Sequence, residues 1–214
     1  FIMENVARLD THNSGKTKEE IIMSFQNLGY TVESKVFEMS QYGVPQKRRR
    51  IIIIGSLKNK KIIFPEKENN ILTVYDAIGH LPSLRSGEES KVPNHVAMNH
   101  SEQMLEKMSF VKEGGDRFSI PENIRPTSGD VRKYIRYNRN EPSFCITGDM
   151  RKVFHYADNR ALTVRELAAI QTFPDDFIFK GKSISQQQQV GNSVPPNFAR
   201  KLAKCIKKMS DLNE

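Results

Sequence analysis

The run Ile51-Ile52-Ile53-Ile54, entered through Gln46-Lys47-Arg48-Arg49-Arg50 and closed by Gly55, constrains this chain more than any other stretch. Four β-branched residues in succession leave no polar face for solvent. Such a block is most simply a strand covered on both faces, as in an α/β sheet. Phe1-Ile2-Met3 has the character of a strand already under way, and a further strand is expected over about residues 31–38. Between them Thr17 and Glu20 have the spacing of a capping box. Ile21, Ile22, Phe25 and Leu28 recur on one helical face, and Gly29 marks the stop.

Over roughly residues 58–141 this periodicity fades. Scattered prolines, Gly114-Gly115 and short helical patches such as residues 101–108 describe an irregular insertion or small second domain. The pattern returns near the end. Thr163 and Glu166 form a second capping box ahead of Leu167, Ala168 and Ile170. Pro195-Pro196 introduce a last amphipathic helix with Phe198, Leu202, Cys205, Ile206 and Met209 on its buried side.

Charge narrows the partner. Lys and Arg number 33 against 25 Asp and Glu, giving a formal charge of +8 and a pI near 9.5. That balance favours an anionic partner, nucleic acid ahead of a membrane surface, although a basic protein without a polyanion partner has the same composition. No apolar run is long enough to cross a bilayer, and the start lacks a signal-peptide pattern. Cys145 and Cys205 lie among apolar residues and read as small, reduced core residues. His95, His100 and His155 have no second ligand cluster at metal spacing, so no metal is expected and they read as surface histidines.

Three blocks could carry chemistry. Glu4-Asn5-Val6 ends the first strand, and a carboxylate at the carboxyl end of a strand lies where open α/β sheets bind ligands. Alone, the tripeptide is equally an ordinary surface turn. Gln46, Arg48 and Arg50 alternate along an extended segment and share a face, where guanidiniums can orient a carboxylate or hold a phosphate bidentately. A solvated basic turn has the same composition. The third block runs from Arg160 through Arg165-Glu166 to Phe177, followed by Gln189-Val190-Gly191-Asn192-Ser193-Val194-Pro195-Pro196.

In this order the blocks resemble the late segments of the DNA cytosine-5 methyltransferases. Ala169, Tyr156, Gln187 and Gln188 depart from the family's usual residues, which bears on details of contact rather than on membership. The resemblance implies an α/β fold: a partial S-adenosylmethionine-dependent (Rossmann-like) sheet with a small, loop-rich target recognition domain. Residues 1–75 would be the C-terminal part of the catalytic α/β domain, 76–158 the recognition domain, and 159–214 helices returning to the catalytic domain. It implies methyl transfer to carbon 5 of a flipped-out cytosine in double-stranded DNA, within a bacterial restriction-modification system in the cytoplasm. Glu4 would hold a proton at ring nitrogen 3, Arg50 would neutralise charge at the exocyclic oxygen, and Arg48 would position Glu4 or the nucleophile's loop.

Asn192, Ser193 and Val194 would shape the S-adenosylmethionine pocket. Gln46, Arg125, Arg132, Lys133, Arg136, Thr147, Arg151 and Arg165 are the candidate DNA contacts. The family's glycine loop and Pro-Cys nucleophile precede the Glu-Asn-Val block and are not in these 214 residues. The chain alone is therefore expected to be inactive and to work with an N-terminal half, attached or separate. Unpaired, its apolar strands are expected to aggregate. A DNA-binding module without catalysis and a relative acting on transfer RNA remain as alternatives.

Overall fold

The computed structural model describes residues 1–57, 61–127 and 133–211. Its organising element is a three-stranded antiparallel sheet of β1 (Ile2–Val6), β2 (Thr31–Glu38) and β4 (Arg49–Ser56), in the order β1-β4-β2. The strands expected at 31–38 and 51–54 are present. β1 and β2 run the same way, joined by helix α1 (Lys16–Asn27), and β4 fills the space between them in the opposite direction. The crossover is thus of the α/β kind, whereas every pairing in this sheet is antiparallel. The isoleucine block has neighbours on both sides, β1 and β2. β1 pairs on one side only, and Ile2 and Val6 are about half exposed.

Alternation along β4 divides its isoleucines between two cores. Ile51 and Ile53 pack with Val32, Met3, Ile21, Ile22 and Phe25 beneath α1. Ile52 and Ile54 pack with Phe37, Met39, Tyr42, Phe198, Leu202 and Met209. The last three belong to α6 (Pro196–Asp211), which lies back on the sheet as its sequence pattern predicts. Cys205 is half-buried there rather than a core residue.

Two local expectations at α1 fail. The helix begins at Lys16, ahead of Thr17, with no side-chain cap. The left-handed turn Asn13-Ser14-Gly15 feeds the chain directly into it, and the Thr17 hydroxyl meets His12 Nδ1 at 2.8 Å. Leu28, placed by periodicity on the buried face, is 68% exposed because the helix has already ended at Asn27.

The remainder is loop-rich. β3 (Gln46–Lys47) pairs in parallel with β6 (Ser143–Phe144), and β5 (Ile135–Arg136) with β7 (Val153–Phe154). Helices α2 (Val74–Ile78), α3 (Glu102–Phe110), α4 (Val164–Ile170) and α5 (Ser183–Asn192) complete the chain. Both Thr73–Asp76 and Thr163–Glu166 form full capping boxes. α4 ends on Thr172 at φ +68°, a left-handed position unusual for a β-branched residue. Its hydroxyl accepts the Asn197 amide at 3.0 Å, which ties the end of α4 to the start of α6. One apolar cluster joins Val74, Ile78, Ile135, Tyr137, Ile146, Met150 and Val153 to Leu167, Ile170 and Val190. The irregular segment and the returning helices therefore share a core.

Candidate active site and adjoining cleft

The antiparallel register brings two of the blocks together. Glu4 pairs with Ile52 and Val6 with Arg50, so Glu4 and Arg50 are diagonal neighbours on one face. Arg50 Nε lies 3.0 Å from Glu4 Oε1, with the side chains 16% and 26% exposed. This is the same sheet face that carries Ile52 and α6.

Gln46, Arg48 and Arg50 do share the inward side, while Lys47 and Arg49 point out. Their roles differ from expectation. Arg48 is 1% exposed and reaches away from Glu4. Its Nη1 donates to the Ile146 carbonyl at 3.3 Å and lies 3.5 Å from Cys145 Sγ. Its Nη2 donates to the carbonyls of Gly191 and Ser193, both at 3.1 Å. Burial and the nearby Arg50 charge pull its pKa down. Arg50, rather than Arg48, is thus the partner of Glu4, and Arg48 fastens the sheet to segments 145–146 and 191–193. The close approach of those segments needs Gly191, where a Cβ would stand 2.7 Å from the Thr147 carbonyl carbon.

Gln46 is fully buried, donating to Gln171 Oε1 and accepting the Ile146 amide at 3.0 Å. It faces no solvent from which DNA could approach. Three other candidate DNA contacts are likewise occupied internally. Arg136 donates to the carbonyls of Val111, His155, Asp158 and Met108. Arg165 donates to those of Pro93, Pro174 and Phe177. Arg125 holds the carbonyls of Ile120 and Phe118. Arg132 lies outside the described residues.

Lys133, Thr147 and Arg151 remain; the first two line one cleft, and Arg151 is tied to its rim through Asp149. A cleft of about 220 Å³ is lined by Lys47, Lys133, Phe144, Cys145, Thr147 and Asp149, with Ile135, Tyr137, Met150 and Val153 forming its floor. Asp149 holds both cations: Lys133 Nζ at 3.2 Å, and Arg151 through Nε at 2.8 Å and Nη2 at 3.2 Å. The Arg151 guanidinium keeps the Asp149 carboxyl well below the usual carboxylate range. Phe144 is 52% exposed at the same cleft, with Lys47 Nζ 5.9 Å from its ring centre. Asp149 escaped the sequence reading because an acid within a basic segment reads as a poor DNA contact. Cys145 is half-buried on the cleft wall rather than a core residue.

The histidines are also placed differently. His95 and His155 are buried rather than on the surface, and His100 is half-buried. His95 Nε2 lies 3.4 Å from Glu166 Oε1, and His155 Nδ1 lies 3.3 Å from Asp158. Arg160 grips Glu166 through Nη1 and Nη2 at 2.8 and 2.7 Å. Burial pushes the Glu166 carboxyl up, but the hydrogen bonds from His95 and Arg160 and the charge of Arg160 outweigh it, leaving it at about 2. Among the described residues no group of three His, Cys, Asp or Glu side chains could hold a metal ion.

Of the residues expected at S-adenosylmethionine, only Asn192 is exposed. The Ser193 carbonyl accepts from Arg48 and Gln171, its hydroxyl donates to Val190, and Val194 packs against the sheet core. Of the three, Asn192 alone keeps its side chain open to a ligand.

Residues 1–208 match the sequence pattern of the C-5 cytosine-specific DNA methylases, and the chain belongs to that family. It is 63% identical over 211 residues to the type II methyltransferase M1.HphI of Haemophilus parahaemolyticus, covering 98% of this chain and 57% of that protein. With the type II methyltransferase M.BbvI of Brevibacillus brevis it shares 33% identity over 223 residues, covering 97% and 58%. The chain thus spans less than three fifths of the length of these curated relatives. In fold it is similar to a prophage-encoded DNA modification methyltransferase from E. coli, with a TM-score of 0.77 at 21% identity, covering 100% of this chain and 70% of that one. The S. pombe Dnmt2 methyltransferase gives 0.60 at 15%, covering 100% and 67%. No helix among the described residues is long and apolar enough to cross a membrane.

Proposed function

We propose that this chain is the base-activating and target-recognising portion of a DNA cytosine-5 methyltransferase of a bacterial restriction-modification system. It would work on cytoplasmic DNA together with an N-terminal portion that carries the nucleophile. The observation that carries this reading is the Glu4–Arg50 pair at 3.0 Å, assembled by strand register from two distant motifs.

Carbon 5 of cytosine is a poor nucleophile until a thiolate adds to carbon 6. That addition pushes negative charge onto ring nitrogen 3 and the exocyclic oxygen, which are neighbours on one edge of the base. A carboxyl group and a guanidinium held side by side match that edge. Glu4 would hold the proton at nitrogen 3, and Arg50 would meet the oxygen. Glu4 is 26% exposed among the described residues, so water must be excluded by other parts of the enzyme or by the base itself. Asn192 would line the S-adenosylmethionine pocket, whose occupant supplies the methyl group when bound. Arg48 would serve as a positioning residue, fixing segment 191–193 relative to the cleft. The cleft with Lys47, Lys133 and Thr147, and with Arg151 beside it on Asp149, would face the duplex.

The test uses the enzyme completed by its upstream segment, with duplex DNA and transfer RNA offered separately. Methyl transfer to cytosine in the duplex is expected; a preference for RNA would sink the reading. Glu4→Gln should lower turnover far more than DNA affinity, whereas equal losses would make Glu4 structural.

A further inference from the structure

We propose that Arg151 reads a guanine in the target sequence, that Asp149 holds it in the reading posture, and that neighbouring Lys133 grips the phosphate backbone. The inference rests on the reading of the cleft as the DNA-facing surface and assigns separate tasks within it.

Most of the segment's candidate cations are already committed. Arg125, Arg136 and Arg165 donate to backbone carbonyls. Arg139 is held by Glu113 and stacks over the ring of Tyr156, away from the cleft lining. Arg151 differs in place and in what its partner leaves free. It follows directly on Asp149 and Met150, which line the cleft, and its side chain is 48% exposed.

Asp149 engages Arg151 along one edge of the guanidinium, through Nε and Nη2. A guanidinium carries five N–H donors in a rigid plane. Among the described residues its other edge, Nη1 with the second hydrogen of Nη2, meets no partner and remains a parallel fork. That fork matches the O6 and N7 acceptors of guanine in the major groove. Held by the carboxylate, the side chain has little rotamer freedom left to lose on binding.

Charge separates reading from holding. A phosphate is attracted mainly by net positive charge. The charge of Arg151 is largely cancelled by Asp149 at 2.8 Å, which weakens its pull on a phosphate, while the side chain stays 48% exposed. A neutral base edge needs donor geometry and no net charge. Lys133 touches Asp149 at a single 3.2 Å contact and offers a compact ammonium without a fork, which suits a phosphate. The three groups together carry one net positive charge at the lip of the cleft.

The experiment selects duplexes from a randomised pool by binding to the completed enzyme. Wild type should select a motif containing at least one required guanine. Arg151→Ala should lose the preference for that guanine by roughly ten- to a hundredfold, with other positions unchanged. Arg151→Lys, which keeps the charge but not the fork, should lose it equally. Asp149→Asn should lose part of it at the same position. Lys133→Ala should weaken all sequences alike and reduce the slope of log affinity against log salt by about one. If Arg151→Ala or Arg151→Lys keeps the wild-type motif, or if Arg151→Ala lowers the salt slope as Lys133→Ala does, Arg151 is a backbone contact and the proposal falls. If wild type selects no motif at all, the reading of the cleft as DNA-facing falls instead.

Discussion

Replacing Arg48 by methionine separates Arg48 from Arg50 by role. The guanidinium is 1% exposed and donates to three carbonyls, those of Ile146, Gly191 and Ser193. Ser193 keeps a second donor, Gln171 Nε2 at 2.8 Å, and Ile146 a weak one, the Cys145 thiol at 3.6 Å, so the substitution strands chiefly the Gly191 oxygen and weakens the hold on Ile146. A buried acceptor left without a partner costs about 1–3 kcal/mol. Against that stands a gain, because none of the three hydrogen bonds goes to a carboxylate and removing a buried charge recovers part of its desolvation. The net expected loss is about 2–4 kcal/mol. For a chain of this size it corresponds to a fall in melting temperature of roughly 5–15 °C. Arg50→Met removes one partly exposed ion pair and should cost within about 1 kcal/mol of stability. In the completed enzyme it should nonetheless abolish most turnover. Urea denaturation of wild type and both variants, alongside steady-state methylation, decides the matter. Equal midpoints for wild type and Arg48→Met, or a larger loss from Arg50→Met, would refute the assignment of clamp and chemistry to separate residues.

Two further outcomes concern the surroundings of the clamp. Gly191→Ala would put a Cβ 2.7 Å from the Thr147 carbonyl carbon and 3.0 Å from the Gly148 nitrogen, both backbone atoms, so segment 147–148 must move. A loss of about 1–3 kcal/mol and weaker DNA binding are expected; wild-type midpoint and affinity would mean the segments adjust freely. Burial pushes the His155 imidazole down to about 4, so on acidification the unfolded chain takes up its proton first. His155 therefore contributes stability that is present above about pH 6.5 and lost progressively as pH falls below it. Glu166, held down at about 2, adds a loss of the same sign below its ordinary range. Denaturation midpoints across this window should fall with pH for wild type and fall less for His155→Gln; parallel curves would contradict the buried, neutral imidazole.

How much was legible from the residues alone differs by physical cause. Where one face of an element must be apolar, the period shows it: the strand at 31–38, the isoleucine strand and α6 all sit as their patterns predict. The Thr163–Glu166 cap was legible because both partners are local. Thr73–Asp76 was missed because an aspartate served where glutamate or glutamine was sought. The start of α1 was misplaced because a left-handed turn leaves little trace in composition. The buried arginines were the largest gap. Sequence displays a charge but not the carbonyls waiting for it, and Arg136 and Arg165 are surrounded by carbonyls brought from distant loops. Arg165 did carry a signal, lying in a helix between Val164 and Leu167-Ala168 with hardly a polar face to occupy.

The apolar cluster that joins Ile135, Ile146 and Val153 to Leu167, Ile170 and Val190 bears on how such enzymes change their specificity. If residues 76–158 read the target as proposed, they rest on a small cluster of their own around Met108, Val111, Ile120 and Phe154 and on this larger one shared with α4 and α5, and the shared one resists exchange as a cassette. Recombination that imported residues 76–158 from a relative would bring half of an interlocking surface and leave the other half, on α4 and α5, unmatched. Viable hybrids would have to cross over beyond Val190, taking those helices along with the loops they support. The easier course is point substitution on the rim. Under the proposed reading, exposed side chains around Asp149 can be replaced singly without disturbing the core beneath, so new recognition sequences would arise there by small steps.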